Sequence, residues 1–286
     1  MSENFIIRLW KKFFHKCDSQ TSSQEQDFVF SEDKKILEEC TNKEITEVVI
    51  PDNVTKIGDG AFKDCSSLTS VVIPDSVTEI GSGAFSGCTS LTSVVIPNSV
   101  TEIGSGAFKD CSSLTSVVIP DSVTKIGYGA FKDCSSLTSV VIPNSVTKIG
   151  EDAFCSCKSL TSVVLPDSVT EIRREAFQGC TSLTSVVIPN SVTEISRGAF
   201  SDCTSLTSVV IPDSVKKIRA NAFESCTSLM SIVIPDSVTA IVEEERDYYW
   251  DDSDDYLDIG GAFEEAGCEE QVSRDYGHLF IKEEYY

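Results

Sequence analysis

The 286-residue chain has few of the side chains that most enzymes use for catalysis. It contains two histidines, His15 and His278. The sequence has no glycine-rich phosphate loop after a predicted strand, no H-E-x-x-H zinc motif and no nucleophile elbow. The formal net charge is −22, so the chain lacks the basic excess that neutralises nucleic-acid phosphates. We therefore expect a protein that is not an enzyme, uses no cofactor and does not bind nucleic acid.

Proline is also scarce, and its positions are regular. Each of the nine prolines lies 23 residues from its neighbours in the series. Phenylalanine recurs at the same step from Phe62 to Phe223, and cysteine recurs from Cys65 to Cys226. A fixed period of this length is typical of repeat proteins, in which each copy is one structural unit. The prolines are Pro51, Pro74, Pro97, Pro120, Pro143, Pro166, Pro189, Pro212 and Pro235.

One copy of the repeat predicts one coil of a solenoid. Residues 70–73 are rich in β-branched side chains and precede Pro74, which favours a short strand. Alternation along that strand places Val71 and Ile73 inward and Val72 outward. A glycine bend and a segment with helical or 3₁₀ spacing complete the coil. Because one coil cannot bury its own apolar side chains, identical coils stack, and nine strands form a parallel sheet on the order of 40 Å long.

The repeat has the pattern L-x-x-V-x-I-P-x-S-V-T-x-I-x-x-x-A-F-x-x-C-x-x, which resembles the BspA-like class of leucine-rich repeats. Eight full copies cover residues 45–228, and a ninth, interrupted copy covers residues 229–268. The resemblance implies an α/β solenoid, a right-handed superhelix with a parallel concave β-sheet and short helical or 3₁₀ turns on its convex side. It also implies a non-enzymatic interaction protein, because members of the class resemble one another in that role. Some of them are surface proteins involved in adhesion.

The outward valines of the strands are the first candidate for a contact surface. They form a column that does not vary from copy to copy, beside a column of serines. Two interpretations remain open: valine simply suits a strand, or the column is an apolar contact strip of low specificity for a repetitive partner or for self-association. The candidate residues are Val72, Val95, Val118, Val141, Val164, Val187 and Val210.

A glycine column changes along the chain. It holds glycine from Gly58 to Gly150 and then Arg173, Ser196 and Arg219. Since arginine occupies the column twice, we expect glycine there to be convenient and not obligatory. The later copies also place several arginines near one rim, either as ordinary surface charge or as a basic strip for an acidic partner. These are Arg173, Arg174, Arg197 and Arg219.

The chain has twelve cysteines, and eight of them follow the repeat. Stacked coils place those eight at the same inward point, where a thiol packs as a small hydrophobe. Cys155 and Cys157 are a lone pair without a second pair to complete a zinc site, so we expect no metal. Free thiols indicate a reducing compartment, and the prediction is a cytoplasmic protein. The alternative is a membrane-associated or cell-surface location.

The N-terminal region predicts three segments. Residues 1–17 form a basic amphipathic helix on a helical wheel, too short and too charged to span a bilayer. This segment either contacts a membrane peripherally, caps the solenoid, docks on a partner or is disordered. A polar linker covers residues 18–27, and a capping hairpin covers residues 28–44. The candidate membrane contacts are Phe5, Leu9, Trp10 and Phe13.

The C-terminal region interrupts the repeat with an acidic insertion at residues 243–258, and an acidic tail or cap follows at residues 269–286. Tyr248, Tyr249 and Trp250 lie within the insertion, which is either a solvated loop or a binding loop for a cationic partner. Together these features predict a protein-interaction scaffold. The alternative is an adhesion protein anchored through its N-terminal helix.

Overall fold

The computed structural model describes residues 25–242 and 280–281. Within the first range the chain winds into successive coils of 23 residues. We number them coil 1 (residues 45–67) to coil 8 (residues 206–228), and part of a ninth coil follows. Each coil carries a three-residue strand at its start and, in most coils, a two-residue strand about nine residues later. The three-residue strands form the front sheet, and the shorter strands form the rear sheet.

The front sheet is parallel and in register. Ser139 pairs with Ser162, and Val141 pairs with Val164, so equivalent residues of adjacent coils lie side by side. Seven strands form one continuous sheet, and the first two form a separate pair, so the expected nine strands are present with one interruption between coils 2 and 3. The strands are β3 (Glu47–Val49), β5 (Ser70–Val72), β7 (Ser93–Val95), β9 (Ser116–Val118), β11 (Ser139–Val141), β13 (Ser162–Val164), β14 (Ser185–Val187), β16 (Ser208–Val210) and β18 (Ser231–Val233).

The rear sheet was not predicted from the sequence. One part has seven strands and includes the N-terminal strands β1 and β2; the other part has four strands. Coil 6 contributes only an isolated bridge between Ile172 and Ile195. The strands are β1 (Phe28–Phe30), β2 (Ile36–Cys40), β4 (Lys56–Ile57), β6 (Glu79–Ile80), β8 (Glu102–Ile103), β10 (Lys125–Ile126), β12 (Lys148–Ile149), β15 (Glu194–Ile195), β17 (Lys217–Arg219), β19 (Ala240–Val242) and β20 (Phe280–Ile281).

The expected solenoid with a parallel sheet is confirmed, but the expected α/β class and the helical turns are wrong. Among the described residues there is no α-helix, and the single 3₁₀ helix, Glu25–Asp27, precedes the coils. The protein is a parallel β-solenoid of about nine turns, and the segment after each rear strand is a series of turns.

Left-handed residues explain why this segment is not helical. In coil 2, Gly83 and Gly87 have φ values of 61° and 75°, a conformation that ends a right-handed helix. Alternate amides therefore point in different directions. The amides of Ser86 and Cys88 donate to carbonyls three residues earlier, whereas those of Phe85 and Gly87 donate to coil 3. The turns thus contribute hydrogen bonds between coils that a helix would keep within one coil.

The core is a ladder of phenylalanine rings, one from each coil. Neighbouring rings are stacked, and the centroids of Phe85 and Phe108 are 5.3 Å apart with an angle of 4° between the rings. This arrangement confirms that adjacent coils bury their apolar side chains against one another. The rings are fully buried: Phe62, Phe85, Phe108, Phe131, Phe154, Phe177, Phe200 and Phe223.

The N-terminal hairpin covers the open end of coil 1. Strands β1 and β2 are antiparallel, and β2 also pairs in parallel with β4 of coil 1. The ring of Phe28 meets Phe62 edge to face, with centroids 6.0 Å apart. The hairpin therefore continues the rear sheet and closes the phenylalanine ladder, which leaves fewer unpaired groups at this end of the solenoid.

Serine hydroxyls link successive coils beside the prolines. The Ser145 hydroxyl donates to the carbonyl of Val123 in the preceding coil at 2.6 Å, and Ser122 and Ser168 make the equivalent bond. The amide of Asn53 donates to the Lys34 carbonyl at the N-terminal end. The exception is Ser214, whose buried oxygen has no hydrogen-bond partner in the described part of the chain.

The structure corrects the expectation that glycine is merely convenient in the glycine column. The glycines of this column do not have positive φ values, in agreement with the sequence analysis, but in coils 1–5 they fit a close backbone contact that leaves no room for a side chain. A Cβ added to Gly127 would lie 2.7 Å from the Gly104 carbonyl carbon, and one added to Gly150 would lie 2.5 Å from the Gly127 carbonyl. Backbone packs directly on backbone, so from Gly58 to Gly150 a side chain does not fit without a shift of the coils.

Candidate functional site

The front sheet exposes one continuous row of valines. Along each strand the middle residue is buried and the valine after it faces outward, as the alternation predicted. Val72 is half-buried, Val95 and Val118 are 48% exposed, and the five valines of the later coils are 66–72% exposed. We call this row, with the outward serines beside it, the valine strip. The five later valines are Val141, Val164, Val187, Val210 and Val233.

The valine strip carries no charged side chain from Ser70 to Val233. Its outward positions are serine and valine in every strand of this range, and Glu47 of coil 1 precedes them. Threonines border the strip, and their hydroxyls are satisfied within the solenoid: the Thr138 hydroxyl donates to the Thr115 carbonyl at 3.3 Å. In a chain of net charge −22, this surface is therefore neutral, apolar in part and uniform along its length.

The cysteines lie where the repeat predicted them. The ten in the described residues are buried and free. In successive coils the thiol donates to the carbonyl of the preceding coil's phenylalanine, as Cys134 does to Phe108 at 3.1 Å. Burial raises the pKa of the Cys134 thiol well above its ordinary value of 9.0. The Cys134 thiol is therefore a packing and hydrogen-bonding group that stays protonated at neutral pH.

The arginines of the later coils do not form an unpaired basic strip. Three of them lie against glutamates of the same or a neighbouring coil, and Arg197 also makes an interaction. Their charge is largely compensated at the surface, which favours the interpretation as ordinary surface charge. The pairs are Arg173 with Glu171 at 3.3 Å, Arg174 with Glu175 at 2.9 Å and Arg219 with Glu194 at 2.5 Å.

A polar cluster in coils 4 and 5 was missed in the sequence analysis. Asp152 is buried, with Oδ2 3.3 Å from Lys132 Nζ, and Oδ1 has no hydrogen-bond partner among the described residues. Tyr128 and Cys155 complete the cluster. The signal was available as a break in the repeat, because Asp152 occupies a left-handed position (φ 57°) that holds Gly129 one coil earlier.

The pKa directions in this cluster oppose nucleophilic chemistry. A hydrogen bond to the Asp152 carboxylate raises the pKa of Tyr128, and burial raises the pKa of the Cys155 thiol. Burial opposes the charge on Lys132, but Cys155 and Asp152 outweigh it and raise the pKa of the lysine. At neutral pH the tyrosine and the thiol stay protonated and the lysine stays charged, so none of the three is a nucleophile.

Other predicted sites lie outside the described residues. These are the N-terminal helix with Phe5, Leu9, Trp10 and Phe13, and the acidic insertion with Tyr248, Tyr249 and Trp250. Within residues 25–242 and 280–281, no helix has the length and apolar character needed to cross a bilayer. In the same ranges, no three side chains of His, Cys, Asp or Glu converge on a metal-binding position.

Comparison with known proteins agrees with the coil architecture. The family model described as "BspA type Leucine rich repeat region (6 copies)" matches residues 34–161 and again residues 147–245. No curated protein matches the chain.

Solved structures of other leucine-rich repeat proteins are similar to this chain to different degrees. A leucine-rich repeat protein of T. pallidum is 36% identical, with a TM-score of 0.58, over 63% of this chain and 88% of that one. A leucine-rich cell surface protein of Faecalibacterium prausnitzii is 27% identical, with a TM-score of 0.39, over 75% of this chain and 88% of that one. A leucine-rich repeat protein of Eubacterium ventriosum is 20% identical, with a TM-score of 0.44, over 82% of this chain and 91% of that one.

Proposed function

The chain belongs to the BspA-type leucine-rich repeat family, and from this premise we propose that it is a non-enzymatic protein-interaction scaffold whose contact surface is the valine strip. The observation that carries the proposal is the exposure of the later valines, from Val141 to Val233, at 66–72%. Each is a β-branched side chain on a strand whose other face is buried, so packing within the chain does not account for its outward position.

The size of the apolar row also supports the proposal. Single exposed valines are common on protein surfaces, but a contiguous row along successive strands is a feature of contact surfaces. The backbone beneath the row is held by regular pairing: Val163 of coil 6 pairs with both Val140 and Val186. A partner therefore meets a surface that is already ordered, and binding does not need to order it.

The alternative from the sequence is an adhesion or peripheral membrane protein anchored through residues 1–17. It rests on the arrangement of Phe5, Leu9, Trp10 and Phe13 opposite the basic side chains. It makes a separate prediction, because residues 1–17 alone would then partition to anionic vesicles and the valine strip would not be needed. A cationic partner at Tyr248, Tyr249 and Trp250 is likewise a proposal from the sequence.

Site-specific photocrosslinking in the native host tests the proposal. A photoreactive amino acid replaces Val164 in one protein and Lys148, an exposed residue of the rear sheet, in the control protein. We expect protein adducts from position 164 and far fewer from position 148. A second substitution on the strip, Val187→Lys, should abolish the adducts formed at position 164.

The crosslinking result separates the interpretations. Equal adduct yields from positions 164 and 148 would show that the valine strip is no more a contact surface than the rear sheet. Adducts that persist unchanged in the Val187→Lys protein would show that capture depends only on proximity. In both cases valine would be in these strands because it suits them, and the scaffold proposal would lose its main support.

We also propose that the chain works in a reducing compartment, with the cytoplasm as the first choice. The support is the role of the thiols: the S–H of Cys111 donates to the Phe85 carbonyl at 3.2 Å, and the S–H of Cys180 donates to that of Phe154. A disulfide would remove these donors. Labelling of intact cells with an impermeant reagent, compared with a fluorescent fusion, tests the location. Strong surface labelling would favour the cell-surface alternative.

A further inference from the structure

From the composition and period of the valine strip, we infer that its partner is a second copy of this chain, packed with its strip face to face across a two-fold axis. The inference rests on the proposed function, because it names the occupant of the same surface. It predicts a dimer that forms through the front sheets and leaves the rear sheets and the turn segments exposed.

The period of the strip favours a second copy. Equivalent residues pair in register from coil to coil, as Val118 does with Val141 and Val187 does with Val210. The valines therefore repeat at the spacing of adjacent strands, roughly 4.8 Å. A partner surface fills the hollows between them along the whole strip only if it has the same spacing. A second copy has the same spacing because it has the same sequence and fold. A two-fold arrangement also uses the same patch on both chains.

The chemistry of the strip is also self-complementary. Valine packs on valine, and a serine hydroxyl both donates and accepts, so serines such as Ser139 and Ser162 can bond to serines of another strip. A strip rich in donors alone, or in one sign of charge, would need a different partner. Between Ser70 and Val233 the strip has no charged side chain that would have to be desolvated or matched by an opposite charge.

The area of the strip sets the expected strength. The eight strands of the strip, each about 4.8 Å wide, give a length of about 38 Å, and a strand of three residues with its threonine border gives a width of about 13–16 Å. The footprint is then roughly 500–600 Å² per copy, or about 1,000–1,200 Å² for the pair, at the lower limit for specific interfaces. We therefore expect a weak, reversible dimer.

The overall charge gives the association a characteristic salt dependence. Each copy has a formal net charge of −22, which repels a second copy at long range, whereas the contact itself is neutral. Salt screens the repulsion and leaves the apolar contact, so dimerisation should strengthen as ionic strength rises. Binding of a cationic partner would show the opposite dependence.

Sedimentation equilibrium of the full chain tests the inference, at about 50 mM and about 500 mM salt. We expect a monomer–dimer equilibrium, tighter at the higher salt concentration. The double variant Val141→Lys with Val187→Lys should weaken dimerisation at least about tenfold. The charge-matched control is Thr147→Lys with Thr170→Lys, which are exposed on the rear side, where coil 8 carries Lys216 in the same column. The control should dimerise like the wild type.

A milder variant guards against misfolding. Val141→Ser with Val187→Ser keeps the strip neutral, and circular dichroism should show the wild-type fold while dimerisation weakens. A chain that stays monomeric at all concentrations and both salt conditions overturns the inference. A dimer that the valine variants do not weaken also overturns it. If the chain is monomeric but position 164 still crosslinks to another protein, the scaffold proposal stands and only the choice of partner falls.

Discussion

Coils 1–5 and coils 6–8 share one core but differ in the rear sheet. In coils 1–5 the rear strands are continuous from β2 to β12, whereas coil 6 contributes only the isolated bridge of Ile172 to Ile195. The interruption falls where the glycine column ends, after Gly150 and at Arg173. The front sheet is interrupted elsewhere, between coils 2 and 3, and runs without a break from coil 3 through coil 8.

The comparison separates the contribution of the buried interior from that of the glycine column. The phenylalanine ladder is nearly the same in both regions, with rings 5.4 Å apart at Phe108 and Phe131 and 5.6 Å apart at Phe177 and Phe200. The interior therefore holds the coils together in both regions. In coils 1–5 the rear backbones pack directly on one another at the glycine column, because a Cβ at Gly150 would meet the Gly127 backbone at 2.5 Å. The rear strands of coils 7 and 8 also pair, with Ser196 and Arg219 in that column.

The largest expected effect is a loss of folding stability at alkaline pH. It should be similar in coils 1–5 and in coils 6–8. Burial raises the pKa of six stacked thiols above the ordinary value of 9.0, so above about pH 9 the unfolded chain loses protons that the folded chain keeps. Stability is therefore full below pH 9 and falls as the pH rises further, by up to about 8 kcal/mol per pH unit for six thiols. The thiols are Cys88, Cys111, Cys134, Cys157, Cys180 and Cys203.

Urea unfolding as a function of pH measures this slope. Cys134→Ala in coil 4 and Cys180→Ala in coil 6 should each reduce it by about 1.4 kcal/mol per pH unit, since each removes one proton from the difference. Comparison of each variant with the wild type cancels the titration of lysines and tyrosines. A slope that neither variant changes would mean that the thiols are not the source.

Truncation of a ladder ring should have the next largest effect. Phe131→Ala in coil 4 and Phe200→Ala in coil 7 each leave a cavity between two stacked rings, at an expected cost of about 3–5 kcal/mol. Thermal and urea melts of the two variants measure the costs. Because both regions share the ladder, similar losses are expected. A much smaller loss for Phe200→Ala would show that coils 6–8 hold together differently.

The glycine column should distinguish the regions. Gly127→Ala places a Cβ 2.7 Å from the Gly104 backbone, and we expect a loss of about 1–3 kcal/mol from overpacking. The matched change in the later coils, Ser196→Ala, adds no atom beyond the Cβ already present and should cost much less. Urea unfolding of the two variants measures the contrast. Equal costs would contradict the close approach of backbones as the reason for glycine in coils 1–5.

The smallest expected effect concerns the serine bonds beside the prolines. Ser145→Ala removes a donor to the Val123 carbonyl and should cost about 1 kcal/mol. Ser214→Ala in coil 8 removes a buried oxygen that has no partner among the described residues and should be neutral or slightly stabilising. The sign of the difference between the two variants is the readout, measured by urea unfolding under identical conditions.

The sequence predicted the parts of the fold that repeat with a strong pattern. The alternation in residues 70–73 correctly placed Val71 inside and Val72 outside, and the 23-residue step predicted the stacking of Phe85 on Phe108. The outward valines were named from this alternation alone. The period is informative because a position in one coil is confirmed by the same position in every other coil.

The parts that were missed have weak local signals. A two-residue strand such as Lys125–Ile126 is too short to show alternation, so the rear sheet could not be predicted from the sequence. The spacing of Ala84, Phe85 and Cys88 suits a helix, but Gly83 before them and Gly87 before Cys88 have left-handed φ values that a helix does not accommodate. The role of Gly127 depends on the neighbouring backbone, which a residue-by-residue interpretation does not contain.

The equivalence of the coil interfaces has a consequence at the level of the gene. One coil corresponds to 23 codons, and the DNA of two nearly identical coils can differ only at synonymous positions and at the few variable residues. Unequal recombination between two such stretches would add or delete whole coils while every ring, thiol and serine kept a neighbour of the same kind. Solenoid length can therefore change by inheritance in whole steps, with the N-terminal hairpin unchanged.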